Sequence, residues 1–182
     1  MNESQEIALV QGVLSREPAS MRELYDRHIG YLATVCHRYI LGEDDRKDIL
    51  QESFIKIFSS IERFQYRGEG SLRAWMARIV VNEALGQLRK NKGFESVLPV
   101  EELPEPLVED EDVDTIPEGV LLDMIASLPE GYRTVLNLYV FEERSHREIA
   151  QLLSIKESSS ASQLHRAKSL LAQKIKEYKK QL

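Results

Sequence analysis

The chain has 182 residues, with 30 acids against 24 bases, a formal net charge of −6, and 42% apolar and 30% charged residues. That length suits one ordinary domain or two small ones, and no apolar run approaches the roughly eighteen residues a membrane helix requires. The single cysteine, Cys36, excludes an internal disulfide framework and any multi-cysteine zinc or iron–sulfur centre.

In chain order, the first twelve residues, MNESQEIALVQG, carry two acids where a signal peptide needs bases before an apolar stretch. The expectation is a soluble cytoplasmic protein with no direct membrane insertion. Apolar spacings of three and four then predict helices almost throughout, with hardly any strand-like alternation. A short leading helix is expected from Ile7 to Leu14. A second, near 19–41, carries the stripe Met21, Leu24, Tyr25, His28, Leu32, Val35, Cys36 and Tyr39. A third, near 44–61, carries Leu50, Phe54, Ile57, Phe58 and Ile61. A fourth follows the turn sequence RGEGS and runs to about Asn91, with Leu72, Trp75, Met76, Ile79 and Val80 inward. Together these predict a small helical bundle over 1–92.

All six prolines fall outside the long periodic runs, and four of them lie between 99 and 117. Residues 94–118 hold ten acids and no base, so 93–117 reads as an extended acidic linker. Beyond it, 118–182 is a second helical domain. Leu121, Leu122 and Ile125 mark one helix, and Pro129, suited to a first helical position, opens another with Tyr132, Val135, Leu136 and Tyr139. Ser145-His146-Arg147-Glu148 has capping-box spacing and starts a helix of about two turns. After the break Ser154-Ile155-Lys156, a longer helix turns Ala161, Leu164, Ala167, Leu171 and Ile175 inward. A short helix, a tight turn and a longer helix is a helix-turn-helix outline.

Charge distribution qualifies the acidic total. Residues 1–61 are −3, but 62–92 are +4 and 119–182 are +3, leaving two basic islands around the acidic spacer. Local basic surface, not the total, is what nucleic acid meets. With the apolar stripe removed, the last helix presents Ser158, Ser159, Ser160, Ser162, Gln163, His165, Arg166 and Lys168. Serines are poor interior helix formers, so this run fits capping and contact with phosphates or base edges; a solvated serine-rich face is the plainer alternative. In the first domain, Phe64, Arg67, Arg73, Trp75, Arg78, Asn82, Arg89 and Lys90 interleave rings and cations, as proteins that hold unstacked bases do. Trp75 taken alone fits a core position better. On the third helix, Asp48, Gln51, Glu52 and Ile55 form an acidic second face that would repel DNA and suits a basic protein partner, or simply water.

Catalytic readings find little. The four histidines make no metal spacing with carboxylates, no phosphate-binding glycine loop is present, and Cys36 sits in an apolar stripe. No catalytic residue, metal, cofactor or small-molecule substrate is expected.

Taken in order, these motifs resemble the extracytoplasmic-function group of bacterial sigma factors over nearly the whole chain. The similarity rests on Asp48 to Lys56, Phe64, Arg67-Gly68, Ser71 to Ile79, Asn82 and Leu88-Arg89-Lys90, then Leu128-Pro129-Glu130, Glu148-Ile149-Ala150 and Leu164 to Lys168. Two positions depart from the family pattern: Ser154 where members often have glycine, and Ala161 where they often have a basic residue. The resemblance implies an all-α protein with a region 2-like bundle and a region 4-like helix-turn-helix domain. It implies a promoter-specificity subunit without a catalytic site. The Asp48, Gln51, Glu52 and Ile55 face would dock on core RNA polymerase. The Phe64 to Lys90 segment would open the minus-ten element, and the second domain would read the minus-thirty-five element of promoter DNA. An anti-sigma factor is a further implied partner. Two alternatives remain at this point: an autonomous helix-turn-helix regulator that binds duplex DNA without polymerase, and a helical adaptor for basic proteins.

Overall fold

The computed structural model describes residues 3–90 and 116–180. Residues 93–115 of the expected linker, and the end of the fourth helix at Asn91, lie outside the described residues. Every regular element among the described residues is helical. By packing, the chain divides into Met1–Gln87 and Leu88–Leu182.

The first unit is built from α1 (Glu3–Leu14), α2 (Pro18–His37), α3 (Glu43–Ser60), a 3₁₀ turn at Ile61–Arg63 and α4 (Ser71–Lys90), whose last residues, from Leu88, fall to the second unit. Proline at the first position starts α2, where a missing amide costs nothing, and Glu43, Asp44 and Asp45 in the first turn of α3 complement its dipole. Leu24, Leu32 and Val35 of α2, Phe54 and Ile57 of α3, and Leu72, Met76 and Val80 of α4 are core residues almost entirely closed to water. Gly12 sets the approach of α1 to α2, because a Cβ there would lie 2.1 Å from the Ser20 hydroxyl. Burial pushes the Cys36 thiol up to about 11, so it packs as a small apolar group and is not a nucleophile at neutral pH. One residue departs from the expected stripe: Tyr25 is exposed, its ring tilted against Phe54 with centroids 4.6 Å apart.

The second unit comprises α5 (Glu118–Ala126), α6 (Glu130–Val140), α7 (His146–Leu153) and α8 (Glu157–Lys179). Pro129 stands just before α6, at its cap position. Seven consecutive residues of α6, Tyr132 to Leu138, are buried because the other helices pack around it. That burial includes Arg133, whose Nη1 donates to the carbonyls of Ala126 and Leu128 and so closes the end of α5. The capping box at α7 forms as its spacing predicts: the Glu148 amide donates to the Ser145 hydroxyl, and the Ser145 amide donates to the Glu148 carboxylate at 2.9 Å. These bonds, with Arg144 beside them, hold the Glu148 carboxyl below its ordinary range.

Between α7 and α8, Ser154 takes a left-handed conformation, φ 57° and ψ 40°, and the Ile155 amide donates to the Ala150 carbonyl at 3.0 Å. A side chain is disfavoured there, and glycine is the usual residue. Ser154→Gly is therefore expected to raise the unfolding free energy by about 1 kcal/mol. Urea unfolding with an unchanged slope and a higher midpoint is the expected result; an unchanged or lower midpoint contradicts the strain.

Candidate polymerase and nucleic-acid interface

Three surfaces converge on the sequence-derived residues. The first lies between α2 and α3. Tyr25, Ile29 and Ala33 face Leu50, Phe54, Ile55 and Phe58 across a groove of about 640 Å³, with Gln51 and the charged Glu43, Arg46 and Lys47 among its lining residues. Ile55 is 53% exposed, a large share for an apolar side chain, and Asp48, Gln51 and Glu52 are exposed on the same helix. An apolar floor with a mixed-charge rim, next to the acids Asp48 and Glu52 on α3, suits a helix that brings leucines or aromatics to the floor and cations towards those acids. The sequence placed Ile55 on this face but missed Tyr25 as part of it, because a tyrosine at core spacing reads as core.

The second surface is the outer side of α4. Two glycines with positive φ, Gly68 (+115°) and Gly70 (+80°), turn the chain into the helix, and no other residue type enters those conformations as readily. Arg67, Arg73, Arg78, Asn82, Arg89 and Lys90 are all exposed. The Arg73 guanidinium lies 3.5 Å over the Tyr31 ring, which fixes one cation of the strip on α2. Trp75 and Phe64 are half-buried, their rings 5.7 Å apart and tilted by 56°, so the pair is part core and part surface. Beside Asn82 opens a polar cleft of about 390 Å³ lined by Lys56, Ser59, Ser60, Arg63, Ile79 and Glu83. A Lys56–Glu83 ion pair of 2.7 Å joins α3 to α4 at this cleft.

Below the strip, His28 is buried with its Nε2 lacking a partner. Burial pushes its imidazole below the ordinary value of 6.5, Arg73 and Arg27 push the same way, and Glu6 opposes them. The unfolded chain therefore binds this proton more readily than the folded one. The stabilisation is complete above the unfolded value and is lost as pH falls through it towards the folded value. The thermal midpoint should drop between about pH 7.5 and about pH 5.5, and less so in His28→Leu. Equal drops in the two proteins would remove His28 as the cause.

The third surface is the start of α8. Ser158, Ser162, His165 and Lys168 are exposed on one face, and Ser159 and Arg166 are half-buried, Arg166 donating to the Tyr132 hydroxyl at 3.3 Å. Two residues expected outward are not. Ser160 is fully buried, its hydroxyl 3.0 Å from His146 Nδ1 on α7, and Gln163 is 6% exposed with its carboxamide against Gly131 of α6. Ala161, expected inward, is exposed. The buried face of α8 thus begins at Ser160 and not at Ala161, while Leu164, Ala167 and Ile175 stay inward as expected, and a tertiary hydrogen bond compensates the burial of Ser160. Tyr139 stacks on His146 at 5.0 Å, which further ties α6 to the start of α7.

The sigma-70 region 2 family model matches residues 24–94, and the sigma-70 region 4 model matches residues 118–171. The ECF RNA polymerase sigma-E factor of Haemophilus influenzae is 28% identical, covering 92% of this chain and 94% of that protein. The ECF RNA polymerase sigma factor SigW of Bacillus subtilis is 24% identical, covering 92% of this chain and 95% of its own length. A solved structure of CnrH in complex with the cytosolic domain of CnrY aligns with a TM-score of 0.48 at 19% identity, covering 93% of this chain and 96% of that one. No described helix is long and apolar enough to cross a membrane.

Proposed function

We infer that this chain, which belongs to the extracytoplasmic-function group of RNA polymerase sigma factors, selects promoters by lending each of its three exposed surfaces to a different target. The single observation that carries this assignment is the outward placement of Arg78 and Asn82 on α4, with Asn82 lining a solvent-open polar cleft. Buried, they could serve only packing; exposed next to half-buried rings, they suit capture of bases drawn out of the stack. We assign the cleft at Asn82 to such a base and the exposed cations of α4 to the neighbouring phosphates. The groove of α2 and α3, with Asp48, Gln51, Glu52 and Ile55, is assigned to core polymerase. On α8 the duplex-reading set is Ser158, Ser162, His165 and Lys168, with Ser159 and Arg166 at its edge; Ser160 and Gln163 are withdrawn from it.

Promoter melting costs on the order of 1.4 kcal/mol per base-pair step, more than two weakly basic units supply by themselves. Polymerase binding provides the remainder, which disfavours an autonomous regulator. The protein itself does no chemistry in this scheme, works in the cytoplasm where polymerase is, and is held inactive by an anti-sigma partner that covers the polymerase groove.

Reconstitution with core polymerase, followed by sequencing of transcript 5′ ends, tests the assignment. Start sites sharing two upstream elements are expected. Replacing Ser162 and His165 together by alanine should change the preferred upstream element, with about 1–3 kcal/mol of discrimination at the bases they contact. An unchanged preference would move the reading surface elsewhere on the domain.

A further inference from the structure

The start of α4 has no side-chain cap of its own. Gly70 precedes it in a positive-φ conformation, and the Ser71 hydroxyl is occupied by the Arg67 amide at 3.2 Å. Early amides of a helix lack intrahelical acceptors and need one from elsewhere. For Leu72 that acceptor is Glu6, whose carboxylate oxygen lies 2.9 Å from the Leu72 amide although the two residues are 66 positions apart. Glu6 is only 3% exposed, so the bond is shielded from competing water. The close approach at Gly12 fixes α1 on α2, so that Glu6 reaches α4 from a held base. The next residue, Arg73, is itself pinned over Tyr31 of α2.

From this geometry we propose that Glu6 is a positioning residue for promoter opening: it fixes the first turn of α4, and with it the angle at which Arg73, Trp75, Arg78 and Asn82 meet the melted strand. The inference rests on the reading of α4 as the strand-capturing helix. What matters is the acceptor at its reach, not the negative charge. Glu6→Gln keeps an oxygen at that distance and removes the charge, whereas Glu6→Asp keeps the charge and withdraws the oxygen by one methylene. Neither change adds volume to the buried site.

The experiment uses the full chain reconstituted with core polymerase on a promoter identified by start-site sequencing. 2-Aminopurine in the non-template strand of the minus-ten element reports unstacking by its rise in fluorescence. Glu6→Gln is expected to open the promoter as the unsubstituted protein does. Glu6→Asp should reduce opening by about three- to tenfold, the effect of losing one helix cap, with polymerase affinity unchanged. Equal opening by both variants and the parent overturns the proposal, as does a defect in Gln that Asp lacks. Parallel loss of opening and of polymerase affinity in Asp also overturns it, since that is ordinary destabilisation of the bundle. Asn82→Ala, measured alongside, separates the two levels: normal opening there removes the reading of α4 itself, whereas a defect there with normal Glu6→Asp removes only the role of Glu6.

Discussion

Replacing Asp48 and Glu52 together by arginine is expected to abolish co-purification of the chain with core RNA polymerase while leaving its helical circular-dichroism spectrum intact. Both side chains stand exposed on α3, one turn apart, so their reversal removes no core contact. The same face carries Ile55 and borders the apolar groove floored by Leu50, Phe54 and Phe58. A partner that approaches this rim with cations would meet four added units of positive charge. Like charges brought together across an interface cost several kcal/mol, so affinity should fall by at least about a hundredfold. Ile55→Asp should weaken binding by a different route, through the apolar contact, and its effect should depend less on salt. Unchanged co-purification of the double variant would remove this face from the polymerase interface.

The second large effect is expected on α4. Substituting Arg78 and Asn82 by alanine removes an exposed cation from α4 and an exposed amide from the lining of the cleft it shares with Lys56, Ser60, Arg63 and Ile79. Neither residue supports the core on the opposite side of the helix, where Leu72, Met76 and Val80 are buried. Held bases contribute about 1–3 kcal/mol each, so loss of one anchored base lowers promoter opening by about fivefold to about a hundredfold. Polymerase co-purification should be retained, because the α2 and α3 groove is untouched. Permanganate reactivity of unpaired thymines in the complex reads the effect; full reactivity in the double variant would place base capture on other residues.

Much of the fold was legible because several helices declare where they begin, although α2 ends at His37, short of the expected 41. Proline opens α2, the Gly68 to Ser71 turn opens α4, and the capping box at Ser145 and Glu148 opens α7 with the bonds its spacing requires. What was not legible depended on partners distant in sequence. At the start of α8, Leu164, Ala167 and Ile175 fix the buried stripe, but its first turn can extend to Ser160 or to Ala161, three or four positions before Leu164. Hydrophobicity favours the alanine. His146, fourteen residues earlier, decides for the serine by bonding its hydroxyl. Gln163, three residues on, shares the inward face of Ser160 and packs against α6. Its packing against Gly131 also explains the small residue there, since a Cβ would sit 2.9 Å from the carboxamide oxygen.

The candidate sites divide along similar lines. Exposed charge is readable because nothing in a core can hold so many cations: every arginine expected on the surface of α4 is there. Aromatic residues are harder. Tyr25 and Trp75 have core spacing yet keep part of their surface free, one at the groove between α2 and α3 and one beside Phe64. Glu6 had no signal at all, for an acid in a leading helix looks solvated until the Leu72 amide is found beside it.

The central claim is that these small helical units select promoters only in the company of polymerase. Its most direct test measures the affinity of one fluorescent promoter fragment for the isolated chain and for the chain bound to core polymerase, at the same salt concentration, against a scrambled fragment. The account predicts feeble, sequence-indifferent binding by the chain alone and selective binding by the complex. Equal promoter affinity and selectivity with and without polymerase would contradict it.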